Sequence, residues 1–205
     1  MEVLMKKWLL LAVLFANTYL GAEMKVLAFA ASLRADSYNK KLVNQAAQLA
    51  REMGATVTVI DLQDYPMPFY DADLEAKGMP ESAQRFRQLM IDSDAIIIAS
   101  PEYNGSIPGM LKNALDWASR SEDGKPSRAA FKDKRFALMS TSPGGGGGAR
   151  ALVHLRLVIE NVGGEVVTKQ VTVPHAANAF TAEGGLENVT IQEELQQEIK
   201  ELLQK

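Results

Sequence analysis

Three short polar segments carry residue types that can bind a flat, negatively charged organic ligand. The first, residues 31–39, contains hydroxyl groups, an amide and Arg34, and it stands where a helix is about to begin. Such donors form an anion site, and a phosphate suits them better than a carboxylate because more donors converge than two oxygens can use. The second, residues 101–106, places Tyr103 among amide groups that could flank a heteroaromatic ring. The third, residues 142–148, is mostly glycine, which lets the backbone approach a ligand closely.

Each segment also has a simpler interpretation. The first could be a well-capped helix start with one surface arginine, the second a turn with a half-buried tyrosine, and the third a flexible linker. The third lies between a clear strand and a clear helix, which argues against a linker. The first segment contains neither the G-x-x-x-x-G-K-[ST] nor the G-x-G-x-x-G pattern, so the sequence disfavours an NTPase and a Rossmann dehydrogenase.

Composition narrows the chemistry further. A chain of 205 residues is expected to form one main domain, and a net charge of −3 gives no electrostatic reason to expect nucleic acid as a partner. There is no cysteine and there are two histidines, so a thiolate nucleophile is excluded and we expect no metal site. The chemistry is therefore expected to reside in a bound organic cofactor.

Alternating strand-like and helix-like segments are expected to position the three polar segments. Short apolar or β-branched runs predict strands, and apolar residues at helical spacing predict helices between them. The predicted strands are Val26–Ala30, Ala55–Asp61, Ala95–Ala99, Arg135–Ser140 and Glu165–Val173. The predicted helices are Tyr38–Met53, Ser82–Ile91, Pro108–Ser119, Arg150–Val162 and Thr190–Gln204, and Leu62–Glu81 is predicted to be a long connection.

Strict alternation of this kind indicates an α/β fold in which helices cover both faces of a parallel sheet. Five strands suit the flavodoxin-like three-layer sandwich with strand order 2-1-3-4-5. All three polar segments then follow strand ends at the same edge of the sheet, where open α/β sheets bind ligands. We therefore expect a composite pocket within a domain that spans residues 24–205.

The N-terminal extension, residues 1–23, lies outside this pattern. Lys6 and Lys7 precede an apolar run from Trp8 to Ala16, which matches a secretory signal and is too short for a stable membrane span of about 20 residues. Alternatively, Met24 is the true start, or the run is an anchor. A cytoplasmic location is expected if Met24 starts the protein, and export is expected if the segment is a genuine signal.

Specific motifs within the three segments resemble a known family. Ser32-Leu33-Arg34 is followed by Ser37 and Asn39, and Ser142-Pro143-Gly144 leads to Gly147-Gly148. The longest motif is Pro101-Glu102-Tyr103-Asn104, which continues to Pro108-Gly109 and then to Leu111-Lys112-Asn113-Ala114 with Asp116-Trp117. Over about residues 24–180 the chain resembles the NADPH-dependent FMN reductases, the flavodoxin-like group of quinone and chromate reductases.

The resemblance implies a function and a set of site residues. It implies non-covalent FMN that takes hydride from NADPH or NADH at flavin N5, without a catalytic side chain, and delivers electrons to a quinone, chromate or an azo compound. It also implies a homodimer or homotetramer. The implied cofactor-binding residues are Ser32, Arg34, Ser37, Tyr38, Asn39, Pro101, Glu102, Tyr103, Asn104, Ser142, Gly144 and Gly145.

A non-enzymatic flavodoxin-type electron carrier is the alternative from another class. Such carriers are usually strongly acidic and bind the phosphate of FMN through a loop that lacks arginine. The net charge of −3 and the presence of Arg34 favour the reductase. A redox-sensing or structural role with a decayed FMN loop is a third interpretation, and the intact polar positions in all three segments argue against it.

Overall fold

The computed structural model describes residues 23–204, and the predicted N-terminal extension therefore lies almost entirely outside the described residues. Its strands are β1 (Lys25–Ala30), β2 (Thr56–Asp61), β3 (Ala95–Ala99), β4 (Arg135–Thr141), β5 (Glu165–Val166) and β6 (Val171–Val173). Its α-helices are α1 (Tyr38–Glu52), α2 (Ala72–Glu75), α3 (Glu81–Ile91), α4 (Gly109–Ala118), α5 (Ala149–Asn161) and α6 (Val189–Leu202). Across residues 23–204, no helix has the length and apolar character needed to cross a membrane.

All pairings among these strands are parallel, in the order β2-β1-β3-β4-β5, and β6 also pairs with β4. The predicted strand order and the flavodoxin-like fold are thereby confirmed. The order reverses between β1 and β3, which places the topological switch point where the first and second polar segments leave the sheet.

Alternation along the strands builds the two apolar layers. In β1, Val26, Ala28 and Ala30 face the layer formed with α1 and α6, whereas Leu27 and Phe29 face the layer formed with α3, α4 and α5. All five side chains are buried. A strand whose two faces are both covered reads as a continuous apolar run, which is why the central strands were recognisable in the sequence.

The prediction of a single fifth strand over Glu165–Val173 was wrong. The strand is split into β5 and β6, and side chains supply the hydrogen bonds that the sheet lacks at the break. The Glu201 carboxylate accepts the N–H groups of Thr168 (2.6 Å) and Lys169 (3.2 Å). The Glu198 carboxyl group accepts that of Val171 at 3.1 Å. Apolar periodicity in the sequence does not indicate where side chains will supply hydrogen bonds to the backbone of a broken strand.

The Leu62–Glu81 connection also contains more structure than predicted. A 3₁₀ turn occupies Leu62–Asp64, and the short helix α2 begins after Asp71. The Asp71 carboxylate accepts the N–H groups of Asp73 and Leu74 at 2.7 and 3.1 Å, which caps the helix. Four residues are too few to show helical periodicity, so the prediction treated them as loop.

The pH dependence of unfolding tests the role of Glu198 at the break between β5 and β6. Burial raises the pKa of this carboxyl well above its ordinary value, although N–H groups of Val171 and Leu138 favour the charged form. The folded protein therefore holds a proton that the unfolded chain has lost, and stability falls as pH rises from the ordinary glutamate pKa through the folded value. Glutamine does not titrate, so we expect E198Q to lack this loss of stability. Urea unfolding from pH 5 to pH 8 should therefore show the free energy of unfolding of E198Q rising relative to that of wild type as pH rises. A constant difference over that range would contradict the prediction.

Candidate active site

A narrow cleft of about 110 Å³ opens at the carboxyl ends of β1, β3 and β4. Its walls come from all three polar segments, as expected for ligand sites in open α/β sheets. The lining residues are Ser32, Arg34, Ser37, Tyr38, Asn39, Pro101, Glu102, Tyr103, Thr141, Ser142 and Pro143. Three predicted site residues, Asn104, Gly144 and Gly145, are not part of this lining, and Thr141 and Pro143 are additions to the predicted set.

Donors dominate the first wall of the cleft. The Ser32 hydroxyl accepts the Arg34 N–H at 3.4 Å, a local bond that bends the loop at this point. Ser37 immediately precedes α1, and its buried side chain makes no hydrogen bond to the first turn of that helix. The backbone N–H groups of Lys40 and Lys41 donate to the Ser37 carbonyl at 3.0 and 3.2 Å. Those of Tyr38 and Asn39, at the very start of the helix, have no intrahelical acceptor. Together with the exposed Arg34 they form a site for an anion with several oxygens.

Asn39 joins the first wall to the third. Its side-chain amide donates to the Thr141 carbonyl at 3.0 Å, and its side-chain oxygen accepts the Thr141 N–H at 3.1 Å. The Thr141 hydroxyl in turn donates to the Val173 carbonyl at 2.9 Å. Asn39 is 4% exposed, so this pairing takes place away from water. Its predicted contact with a cofactor stays a prediction; in the structure its amide ties the start of α1 to the end of β4.

We expect Asn39→Ala to lower the free energy of unfolding by about 2 kcal/mol, because two buried backbone groups of Thr141 lose their partners. The affinity for FMN should fall with it, since the two walls are no longer tied together. Urea unfolding and a fluorescence titration with FMN measure the two effects. Asn44→Ala is the matched control, because Asn44 is an exposed residue of the same helix. Equal free energies of unfolding and equal FMN affinities in the two variants would contradict the positioning role of Asn39.

The second polar segment is a tight turn that presents Tyr103. Tyr103 and Ser106 exchange backbone hydrogen bonds of 2.9 and 3.1 Å, and the two residues between them have positive φ, +52° at Asn104 and +80° at Gly105. Asn-Gly is the pair that favours such a turn. Asn104 therefore shapes the turn instead of lining the cleft. Tyr103 stands half exposed at the cleft mouth, where one face of a planar ring can rest against it.

Glu102 connects the same segment to α5. Its carboxylate receives the backbone N–H of Arg150 at 3.2 Å and the side-chain Nε–H at 2.7 Å, so it caps the start of that helix. The Arg150 guanidinium holds the pKa of Glu102 below its usual range, although burial opposes the shift. Glu102 is thus ionised and engaged near neutral pH, which is unsuitable for a proton donor.

Backbone contacts hold the glycine segment against its neighbours. The Gly144 and Ser142 carbonyls accept the N–H groups of His175 (3.2 Å) and Ala176 (3.0 Å). Gly148, the residue before α5, has a φ of +89° and lies so close to Ser140 that a Cβ there would stand 1.8 Å from the hydroxyl oxygen. The flexible-linker interpretation is therefore excluded, because the segment is packed on β4 and on the 173–176 turn.

This donor set fits FMN. The first wall offers hydroxyl, guanidinium and amide donors to a phosphate, and the cleft's carboxylate, Glu102, is already neutralised by Arg150. The cleft continues into a neighbouring hollow of about 320 Å³ bordered by Tyr103, Pro108 and Met110. The narrow part suits the ribityl phosphate and the wider part suits the ring system.

Fold and site together define a flavodoxin-like protein with a donor-lined cleft at its switch point. Residues 24–178 match the model of the NADPH-dependent FMN reductases, and the chain belongs to that family. It is 36% identical to an NAD(P)H-dependent FMN reductase of Pseudomonas aeruginosa over 181 residues, which cover 88% of this chain and 94% of the relative. It is also 36% identical to an NADPH:quinone oxidoreductase of Arabidopsis thaliana over 188 residues, covering 89% and 91%.

Among solved structures, the fold resembles FerB, a flavoenzyme NAD(P)H:(acceptor) oxidoreductase from Paracoccus denitrificans. The TM-score is 0.74 at 32% sequence identity, and the match covers 87% of this chain and 94% of FerB. An azoreductase from Bacillus anthracis shares 18% identity at a TM-score of 0.57, which shows the common fold alone. The chain is thus similar to enzymes of this family.

Proposed function

We propose that this protein is an FMN-dependent NAD(P)H oxidoreductase that passes electrons to quinones. The observation that carries the proposal is the convergence of the three polar segments on one cleft whose donors match a phosphate and whose mouth exposes an aromatic wall. Membership of the NADPH-dependent FMN reductase family supports the same conclusion. When bound, FMN supplies the redox chemistry, because its ring can accept a hydride and release electrons to a second substrate.

The side chains of this chain bind and orient the cofactor. Ser32, Arg34 and Ser37, with the amides at the start of α1, would hold the phosphate, and Tyr38 lies beside them. Pro101 and Tyr103 would flank the ring, with Ser142 on the opposite wall. Asn39 would act by holding Thr141 in place. Glu102 remains bound to Arg150, so the one proton that must accompany the transferred hydride to form a hydroquinone would come from solvent.

One open mouth would serve donor and acceptor in turn. A nicotinamide must leave before a quinone can approach the same ring, which predicts ping-pong kinetics with parallel lines in double-reciprocal plots. Intersecting lines would contradict a shared site.

Mixing the purified yellow protein with NADPH in the absence of air tests the reductase directly. We expect the flavin absorption to bleach without any partner enzyme and to return when a quinone is added. A flavodoxin-type carrier would keep its colour until a partner enzyme delivers electrons. Bleaching therefore separates the two classes in a single cuvette.

Chromate and azo compounds remain proposed further acceptors, and NADPH versus NADH preference is to be measured in the same assay. We also propose a homodimer or homotetramer in the cytoplasm, with residues 24–205 as the FMN-binding domain. Sedimentation of the purified protein measures the oligomeric state, and N-terminal sequencing of the natural protein shows whether the chain begins at Met1, at Met24 or after Ala22.

A further inference from the structure

A chain of contacts leads from strand β6 to the third wall of the cleft. The carbonyl of Val173, the last residue of β6, accepts the Thr141 hydroxyl at 2.9 Å and the Ser142 N–H at 3.2 Å. The turn after β6 continues this support, because the His175 N–H donates to the Gly144 carbonyl at 3.2 Å. The position of β6 therefore determines the position of the third wall.

Strand β6 itself depends on a side chain of α6. It has three residues, and among the described strands it pairs with β4 alone. The carboxyl group of Glu198 supplies a further bond at the break between β5 and β6, since it accepts the N–H of Val171, the first residue of β6, at 3.1 Å. Glu198 thus fixes the start of β6 to α6, as Val173 fixes its end to the cleft.

The Glu198 carboxyl group is fully buried, and one of its oxygens has no hydrogen-bond partner among the residues that the structure describes. A negative charge at such a position is unfavourable, because few donors replace the lost hydration. Burial accordingly raises the pKa of this carboxyl well above its ordinary value, although the N–H groups of Val171 and Leu138 oppose the shift. Once the proton is lost, the carboxylate requires water, which reaches it when α6 and β6 separate locally.

The charged groups around Glu198 do not neutralise it. Across the described parts of β4, the strand break and α6, these groups are Arg135, Lys169, Glu194 and Glu201. Lys169 favours a negative charge on Glu198 but is paired with Glu194 at 2.6 Å, and Glu201 disfavours that charge. Arg135 donates to the Glu201 carbonyl at the end of α6. Strand β6 has no charged residue, and the buried side chains of α1, which packs on α6, carry no charge.

We propose that Glu198 is a positioning residue for the FMN cleft, and that the loss of its proton loosens β6 and weakens cofactor binding as pH rises. The inference rests on the proposed function, because the wall that β6 supports belongs to the cleft assigned to FMN. Proton and cofactor then favour the same conformation. The affinity for FMN falls as pH rises through the folded pKa of Glu198, and bound FMN in turn favours the protonated carboxyl group.

E198Q tests the proposal, because glutamine can accept the Val171 N–H and does not titrate. The dissociation constant of FMN is measured by flavin fluorescence from pH 5 to pH 9, and the ratio of wild type to variant cancels the titration of the FMN phosphate. We expect this ratio to be close to one at pH 5 and to rise about tenfold towards pH 9. E193Q is the matched control, since Glu193 is exposed on the same helix, and it should follow the wild-type profile.

Calorimetry in two buffers of different ionisation enthalpy gives a second readout. Between pH 7 and pH 9, wild type should take up more protons on binding FMN than E198Q does. A constant ratio of dissociation constants together with equal proton uptake would overturn the positioning role of Glu198. If wild type binds FMN and is bleached by NADPH while the ratio stays constant, this inference alone fails. If wild type binds no FMN at any pH, the proposed function fails with it.

Discussion

Gly148→Ala is expected to destabilise the protein by about 2 to 5 kcal/mol and to abolish tight FMN binding. Two effects add, because a φ of +89° is strained for any L residue with a side chain, and the new Cβ would stand 1.8 Å from the Ser140 hydroxyl oxygen and 2.8 Å from its Cβ. Rotation of the Ser140 hydroxyl relieves the first contact but not the second. Backbone movement must follow, and it displaces the start of α5 together with the glycine segment.

Gly146→Ala is the matched control within the same glycine run. A Cβ at Gly146 meets no atom within 4 Å, and its φ lies outside the left-handed region. We expect this variant to remain within about 0.5 kcal/mol of wild type, as exposed substitutions usually do. Urea unfolding and FMN titration of both variants measure the contrast. Similar stabilities would show that the close approach of Gly148 to β4 does not support the site.

Arg34→Ala is expected to weaken FMN binding by tenfold or more. A hydrogen bond to a charged group contributes about 1.5 to 3 kcal/mol, and the loss of the guanidinium removes such a bond from the phosphate. Arg34 is exposed and lies in a loop, so the free energy of unfolding should be nearly unchanged. Equilibrium titration of the FMN-free protein, followed by flavin fluorescence, measures the dissociation constant.

Riboflavin provides the decisive comparison for Arg34, because it keeps the ring and lacks the phosphate. Its affinity should be nearly the same for wild type and R34A. Arg51→Ala supplies a charge-matched control, since Arg51 lies in the last turn of α1, about 20 Å along the helix from its start. A parallel loss of riboflavin and FMN affinity in R34A would place Arg34 near the ring instead of the phosphate.

The sequence was sufficient to predict the layered fold because the central strands are buried on both faces and read as continuous apolar runs. The apolar stripes of α1 and α5 and the glycines that follow them marked the helix ends closely. What escaped prediction depends on contacts distant in sequence. Glu198 and Glu201 lie about thirty residues from the strand break that they repair, and no local pattern links them to it.

In the site, too, the features with a local sequence pattern could be predicted and the contacts between distant residues could not. All three polar segments could be predicted because each follows a strand end at one edge of the sheet. Thr141 was missed because the predicted fourth strand stopped at Ser140, one residue early, and its bond to Asn39 joins residues 102 positions apart.

Absorption spectroscopy of the purified protein after equilibration with excess FMN tests the central claim most directly. After removal of free cofactor by gel filtration, we expect a yellow protein that carries close to one FMN per chain. A colourless protein after the same treatment would contradict the assignment of the cleft, whatever the stability of the fold.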